Sequence, residues 1–294
     1  MITHENPAPK HPERVVLLGA RGFIAAAIRK ELAGRSIPCL PLGSPDLDLA
    51  AASAVEELAA ALSATDAVVM LAALTPDKGR DVATLMRNLA MMQNTCAAIE
   101  RAGCAHLVYF SSDAVYDSAV SRVSEDTPAS PQDVYGAMHH TREIMAHSLA
   151  EVPVLVLRPT LVYGLGDTHN SYGPNRFRRT AQQRGEITLF GGGEESRDHL
   201  HVDDLSALTV RCLLRRSTGT LNAATGTSHS FCEVAEVVAR QFPDAVEIVR
   251  TPRANPVTHR HYDVTDTIKA FPDIRFLSLE EGVGRVHREM VERN

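Results

Sequence analysis

Tyr135 and His139 stand four residues apart in the stretch VYGAMHHTRE, residues 134–143. On a helix, positions i and i+4 share a face, so this spacing sets a phenol beside a basic ring. A phenol held near positive charge is a usable proton donor and acceptor, because an opposite charge favours the ionised form of a group whose ordinary pKa is about 10. Imidazole is a weak version of that helper: with an ordinary pKa of about 6.5 it is mostly neutral near pH 7, and its reach is shorter than a lysine's. It can still donate a hydrogen bond. His140 follows at once, but helix geometry turns it away from Tyr135.

A second chemical signature lies near the start, in GARGFIA, residues 19–25. Gly19 permits a tight turn, Gly22 lets the backbone approach a pyrophosphate, and small Ala25 lets the helix pack close to the strand. RVVLLG before it reads as a buried strand, and the helix-spaced IAAAIRKELAGR follows. The turn therefore sits where free N–H groups attract phosphate.

The elements that must position these groups alternate. Strands are expected at 38–42, 67–71, 106–111 and 154–157, and helices at 52–62, 81–102 and 134–149. Strict alternation predicts an α/β fold, a Rossmann-type doubly wound parallel sheet covered on both faces. The expected division is a disordered tail at 1–13, a dinucleotide-binding part at 14–166, and a smaller C-terminal substrate-binding lobe at 167–294 with segments returning to the main sheet. The site belongs at the carboxyl ends of the strands.

Composition narrows the partners. The 294 residues are 44% hydrophobic and 22% charged, and a formal net charge of -6 gives no footprint for nucleic acid or an anionic membrane. No apolar run approaches the ~20 residues of a membrane span, and the polar, proline-rich start lacks the apolar segment of a signal peptide, so a cytoplasmic protein is expected. The five cysteines are scattered without CxxC or metal-ligand spacing, so no metal is expected.

Six stretches in order, GARGFIA, VVMLAAL, VYFSSDAVY, YGAMH, LRPTLVYG and SRDHLHVDDLS, make the chain resemble the extended short-chain dehydrogenase/reductase family of nucleotide-sugar epimerases, dehydratases and reductases. The resemblance implies Tyr135 as general acid/base, Ser112 as the hydroxyl that holds the reacting sugar oxygen, and catalytic positions at Asp113 and His139. The family carries lysine where this chain has His139. For the cofactor it implies Gly19, Arg21, Gly22, Phe23 and Ile24 at the turn, Ser44, Asp48 and Leu49 near the adenosine, Leu71, Ala72 and Ala73 along the third strand, Tyr135 and His139 near the ribose, and Pro159 beside the nicotinamide. Asn88 would tie strands together.

The segment CLPLGSPD has no acidic residue where an NAD enzyme holds the ribose hydroxyls, and Arg21 is similar to the turn of reductases that use NADP. NAD and NADP both stay open. For a nucleotide-sugar substrate the resemblance implies Arg197 and Arg260 as diphosphate grips, to which Asn175, Arg176 and Arg179 could add unless they form a solvated helix face. Ala114 cannot serve as the base that family dehydratases keep after Asp113, which argues against dehydration. Epimerisation and reduction of a 4-keto sugar stay open, as do a sensor-like, weakly active protein because of His139, and reduction of a non-nucleotide carbonyl. A homodimer through helices 81–102 and 134–149 is also implied.

Overall fold

β1 (Thr3–His4) runs antiparallel along the edge of the main sheet, with Thr3 opposite Thr218 and His4 opposite Ser217. The computed structural model describes residues 2–292. The expected disordered tail at 1–13 is thereby corrected for its described residues 2–13: Glu5 and Asn6 donate backbone bonds to Arg216 and Arg215, Lys10 to Leu214, and the Asn6 amide to the Leu214 carbonyl. The physical reason is that a sheet edge offers unpaired backbone groups to any extended segment, whatever its side chains.

From there the alternation holds: β2 (Val15–Leu18), α1 (Phe23–Gly34), β3 (Cys39–Leu42), α2 (Ala54–Ala61), β4 (Ala67–Met70), α3 (Val82–Ala102), β5 (His106–Phe110), β6 (Arg122–Val123), α4 (Val134–His147) and β7 (Val154–Pro159). Every residue of β2, β4, β5 and β7 is buried, as strands covered on both faces must be. Helix starts are fixed by side-chain caps: Asp81 accepts from the Thr84 N–H ahead of α3 and Asp133 from the Gly136 N–H ahead of α4, each at 2.8 Å.

The second half adds β8 (Leu161–Tyr163), α5 (Pro174–Arg184), β9 (Glu186–Phe190), β10 (Ser196–His201), α6 (Val202–Arg215), β11 (Ser217–Ala223) and β12 (Ser228–Ser230). It ends with α7 (Phe231–Ala239), β13 (Glu247–Thr251), β14 (His261–Tyr262), α8 (Thr265–Ala270) and α9 (Leu279–Val291). The main sheet has the order β1-β11-β7-β5-β4-β2-β3, parallel except for β1. Strand order reverses at β2 and β4, the crevice where α/β sheets take ligands. The expected doubly wound Rossmann-type sheet is what the chain forms.

One face of the sheet packs on α1 and α6 through Ile28, Leu32, Leu205 and Leu208, and the other on α2, α3 and α4 through Leu58, Met92, Ile99 and Ala146. A third core around Phe177, Ile187, Phe231 and Val283 holds the C-terminal helices together. The two-residue pairing of β14 with β6 brings Tyr262 back onto the first half of the chain. Among the described residues no helix is long and apolar enough to cross a membrane.

Candidate active site

Gly19 has φ +87°, and a Cβ there would lie 2.7 Å from the Ala72 nitrogen, so only glycine lets the turn after β2 press against the end of β4. Leu71 and Ala72 line this approach, and half-buried Ala73 follows them. α1 starts at Gly22 with no side-chain cap and no acidic residue in its first turn, Phe23 and Ile24 being its first residues. Its terminal N–H groups are open to an anion, which fits a dinucleotide pyrophosphate. Arg21 is exposed, and its methylenes lie over Gly43 at the end of β3, where a Cβ would be 2.8 Å from the arginine Cγ. Ser44 is exposed beside it, and the Asp46 carboxylate accepts the Gly43 N–H at 2.9 Å.

The residues expected on the adenosine side sit in different settings. Asp48 is exposed but its carboxylate pairs with Arg87 at 2.9 Å, and Leu49 goes into the core between sheet and helices. Asn88 bonds both the N–H and the carbonyl of Leu74, a structural tie. Pro159 is buried at the end of β7, opposite Ala223 of β11.

The chemical centre forms where β5 runs into the turn at residues 111–116. Gly136 makes this possible: a Cβ there would sit 2.2 Å from the Ala114 carbonyl oxygen, so the first turn of α4 lies directly against that loop. Tyr135 is thereby carried on the first turn of α4 against the loop that holds Ser112 and Asp113. Burial and then the nearby Asp113 charge push the Tyr135 phenol up to about 12, the Ser112 hydroxyl acting the other way. The phenol is therefore protonated at neutral pH and ready to donate.

Tyr262, which sequence reasoning missed, donates to the Asp113 carboxylate at 2.6 Å. Burial raises Asp113 above the usual carboxylate range, against the pull of the Tyr262 bond and of Arg260 and Arg197. Arg197 donates to the Thr258 carbonyl and hydroxyl, both at 2.7 Å. Arg260 is buried, donates to the Asp117 carbonyl at 3.0 Å, and its Nη1 finds no partner. Two guanidiniums close enough to repel, one with an unspent donor, suit a bound anion.

The other basic residues are elsewhere engaged. Asn175, expected near the substrate, is buried, accepting from the Gly164 N–H at 3.3 Å and donating to Asp167 at 2.9 Å, so both ends of its amide serve its own loop. Arg179 holds the same loop through the Asp167 carbonyl and Asn170. Arg176 is exposed over the Tyr172 ring.

His139 departs most from expectation. It is 3% exposed, shares a 2.8 Å hydrogen bond with the Tyr109 hydroxyl through Nδ1, and meets the Tyr135 ring edge to face at 4.6 Å. Burial, then the charge of Arg142, hold it well below its ordinary pKa. Burial beside the Arg142 guanidinium thus favours a neutral imidazole over a charged helper, because the protein interior does not solvate a second cation there. Nε2 has no protein partner and faces no competitor for a ligand hydroxyl. His140 lies 3.4 Å from Glu143 instead.

Beneath the centre a buried network ties α4 to β7. Glu143 accepts from Arg158 at 2.8 and 2.6 Å and from Ser111 at 2.5 Å, and Arg158 continues to the Tyr116 hydroxyl at 2.9 Å, which reaches Asn222 at 2.8 Å. Among the described residues no group of three or more His, Cys, Asp or Glu side chains could hold a metal ion.

Comparison with known proteins follows this geometry. The model of the NAD dependent epimerase/dehydratase family matches residues 15–224. An uncharacterized UDP-glucose epimerase of Bacillus subtilis is 28% identical over 120 residues, 40% of this chain and 38% of that protein. A dTDP-L-rhamnose 4-epimerase of Burkholderia thailandensis is 28% identical over 173 residues, 55% of this chain and 47% of that protein. The match thus spans less than half the length of either relative. A solved GDP-L-fucose synthetase of Naegleria fowleri bound to NADP superposes with a TM-score of 0.85 at 16% identity, over 99% of this chain and 97% of that one. That likeness is one of fold.

Proposed function

Because the chain belongs to the NAD dependent epimerase/dehydratase family, we propose that it reduces a keto group of a nucleotide-linked sugar with NADPH. The observation that carries this reading is the packing of the first turn of α4, which carries Tyr135, directly against the loop at the carboxyl end of β5 that carries Ser112 and Asp113. When bound, a nicotinamide supplies the hydride. Ser112 holds the carbonyl oxygen, and Tyr135 gives it the proton as charge develops there. Arg260 and Arg197 face the diphosphate, and the His139 Nε2 donates to a ribose hydroxyl. Pro159 closes the nicotinamide side.

NADPH rather than NADH follows from Arg21 lying over Gly43 at a strand end whose one nearby carboxylate, Asp46, is already bonded to the backbone. A 2′-phosphate fits that guanidinium; a ribose diol gains little from it. The epimerases among the relatives favour a second reading, a redox-neutral exchange of configuration at the same sugar carbon.

Absorbance at 340 nm separates them. Purified protein given NADPH or NADH and UDP-, dTDP- and GDP-linked 4-keto sugars should consume NADPH in step with product, and Arg21→Ala should erode the preference for NADPH about tenfold or more. Sugar interconversion without net absorbance change would favour the epimerase. Cofactor binding with no reaction on any sugar would overturn both, in favour of a sensor.

The same reading includes a homodimer built on α3 and α4, which pack side by side and leave Val82, Met86 and Ile144 exposed. Sedimentation should give a dimer that Met86→Glu with Ile144→Glu dissociates; a monomeric wild type rejects it.

A further inference from the structure

We propose that Arg142 supplies the positive charge that the tyrosine site needs, acting from behind a neutral His139, which passes orientation but not charge. This rests on Tyr135 being the acid/base of the reading above. Tyr135, His139 and Arg142 are spaced i, i+4, i+7 on α4 and so share one face. Arg142 is 1% exposed, among the largest fully buried side chains of the protein. A charged residue is almost never so placed without a carboxylate partner.

Its contacts are of another kind. Nη2 donates to the Ala72 carbonyl at 2.9 Å, at the strand end that Gly19 presses against, and the guanidinium lies 5.1 Å from the Tyr109 ring centroid. A methionine sulfur lies 3.8 Å from Nη1, and Nε has no partner. Among the described residues no carboxylate comes within ion-pair distance. The nearest acid on the same helix, Glu143, is committed to Arg158 at 2.6 Å. Arg142's field is therefore left to act on the rings beside it.

Those rings form a chain. Arg142 stacks on Tyr109, the Tyr109 hydroxyl meets His139 Nδ1 at 2.8 Å, and His139 meets Tyr135 edge to face at 4.6 Å. Of the charges around Tyr135, Asp113 from the turn after β5 and Asp133 at the start of α4 disfavour the phenolate, and Arg142 favours it. Tyr109 feels Arg142 and Glu143 in opposite senses. The same cation that favours the phenolate disfavours imidazolium at 139, so one buried positive charge does both. Arg142 is a positioning and charge-supplying residue, not a catalytic one.

The experiment is a cycle of Arg142→Met, His139→Lys and the double variant, read by imidazole nitrogen resonances across pH, by tyrosinate absorbance, and by the pH profile of turnover. Arg142→Met should raise the titration of His139 and the basic limb attributed to Tyr135 by about one pH unit each, and Arg142→Lys should restore both. His139→Lys alone sets two cations together, so it should fold less stably and turn over no faster than wild type, and adding Arg142→Met should relieve it. The imidazole titration needs no turnover, so it tests Arg142 even if the proposed reaction is wrong. Unmoved titrations in a folded Arg142→Met, or a His139→Lys variant that is stable and faster on its own, would overturn the assignment. Should Arg142→Met fail to fold, the His139→Lys result and Arg142→Lys still decide.

Discussion

Tyr135→Phe should lower turnover about 10²–10⁴-fold while leaving NADPH affinity within a few-fold, the range that a positioned proton donor contributes. In the proposed reduction the phenol is the acidic hydrogen brought to the reacting oxygen: Ser112 is too weak an acid to replace it, and Asp113 already receives the Tyr262 hydroxyl at 2.6 Å. The ring itself survives in the variant, so its edge contact with His139 at 4.6 Å is kept and the helix is undisturbed. Loss of one hydroxyl costs about 1 kcal/mol of stability, too little to mimic the rate effect by unfolding. Steady-state rates beside a cofactor titration check this. A Tyr135→Phe enzyme within about threefold of wild type would remove Tyr135 from the chemistry.

Glu143→Leu should cost about 3–5 kcal/mol in urea unfolding, because it leaves Arg158 charged and buried without its carboxylate. Arg158 is held protonated against its own desolvation by the bonds and charge of Glu143, and both are nearly sealed from water. Ser111 and Tyr116 lose partners in the same step. The companion Arg158→Met in the same chain should recover much of that loss, since an apolar pair of similar volume carries no desolvation penalty. If Glu143→Leu costs under about 1 kcal/mol, the network is solvated in solution and does not fix α4 on β7.

The parallel strands were legible because buried runs such as VVLL and AVVM have nothing polar to obscure them. The expected helices at 81–102 and 134–149 start where α3 and α4 start, and local caps at Asp81 and Asp133 fix those points. What stayed hidden depends on distant pairing. β1 and β14 are two residues long and have no period to read, yet one edges the sheet and the other delivers Tyr262 to Asp113. In HHTRE the charges look like a solvated helix face, and only Ala72 and Arg158, both from other elements, show why Arg142 and Glu143 are inside. Asn175 shows the converse: an amide near arginines looks like a ligand contact in the sequence, and the structure gives it Gly164 and Asp167 as partners.

The most direct test of hydride transfer at a sugar carbon uses NADPH deuterated at nicotinamide C4, with mass spectrometry of the sugar product from the 4-keto panel. The account predicts one deuterium on the product from wild type and none above background from Tyr135→Phe in the same time. Bound NADPH with no deuterium reaching any sugar would contradict it.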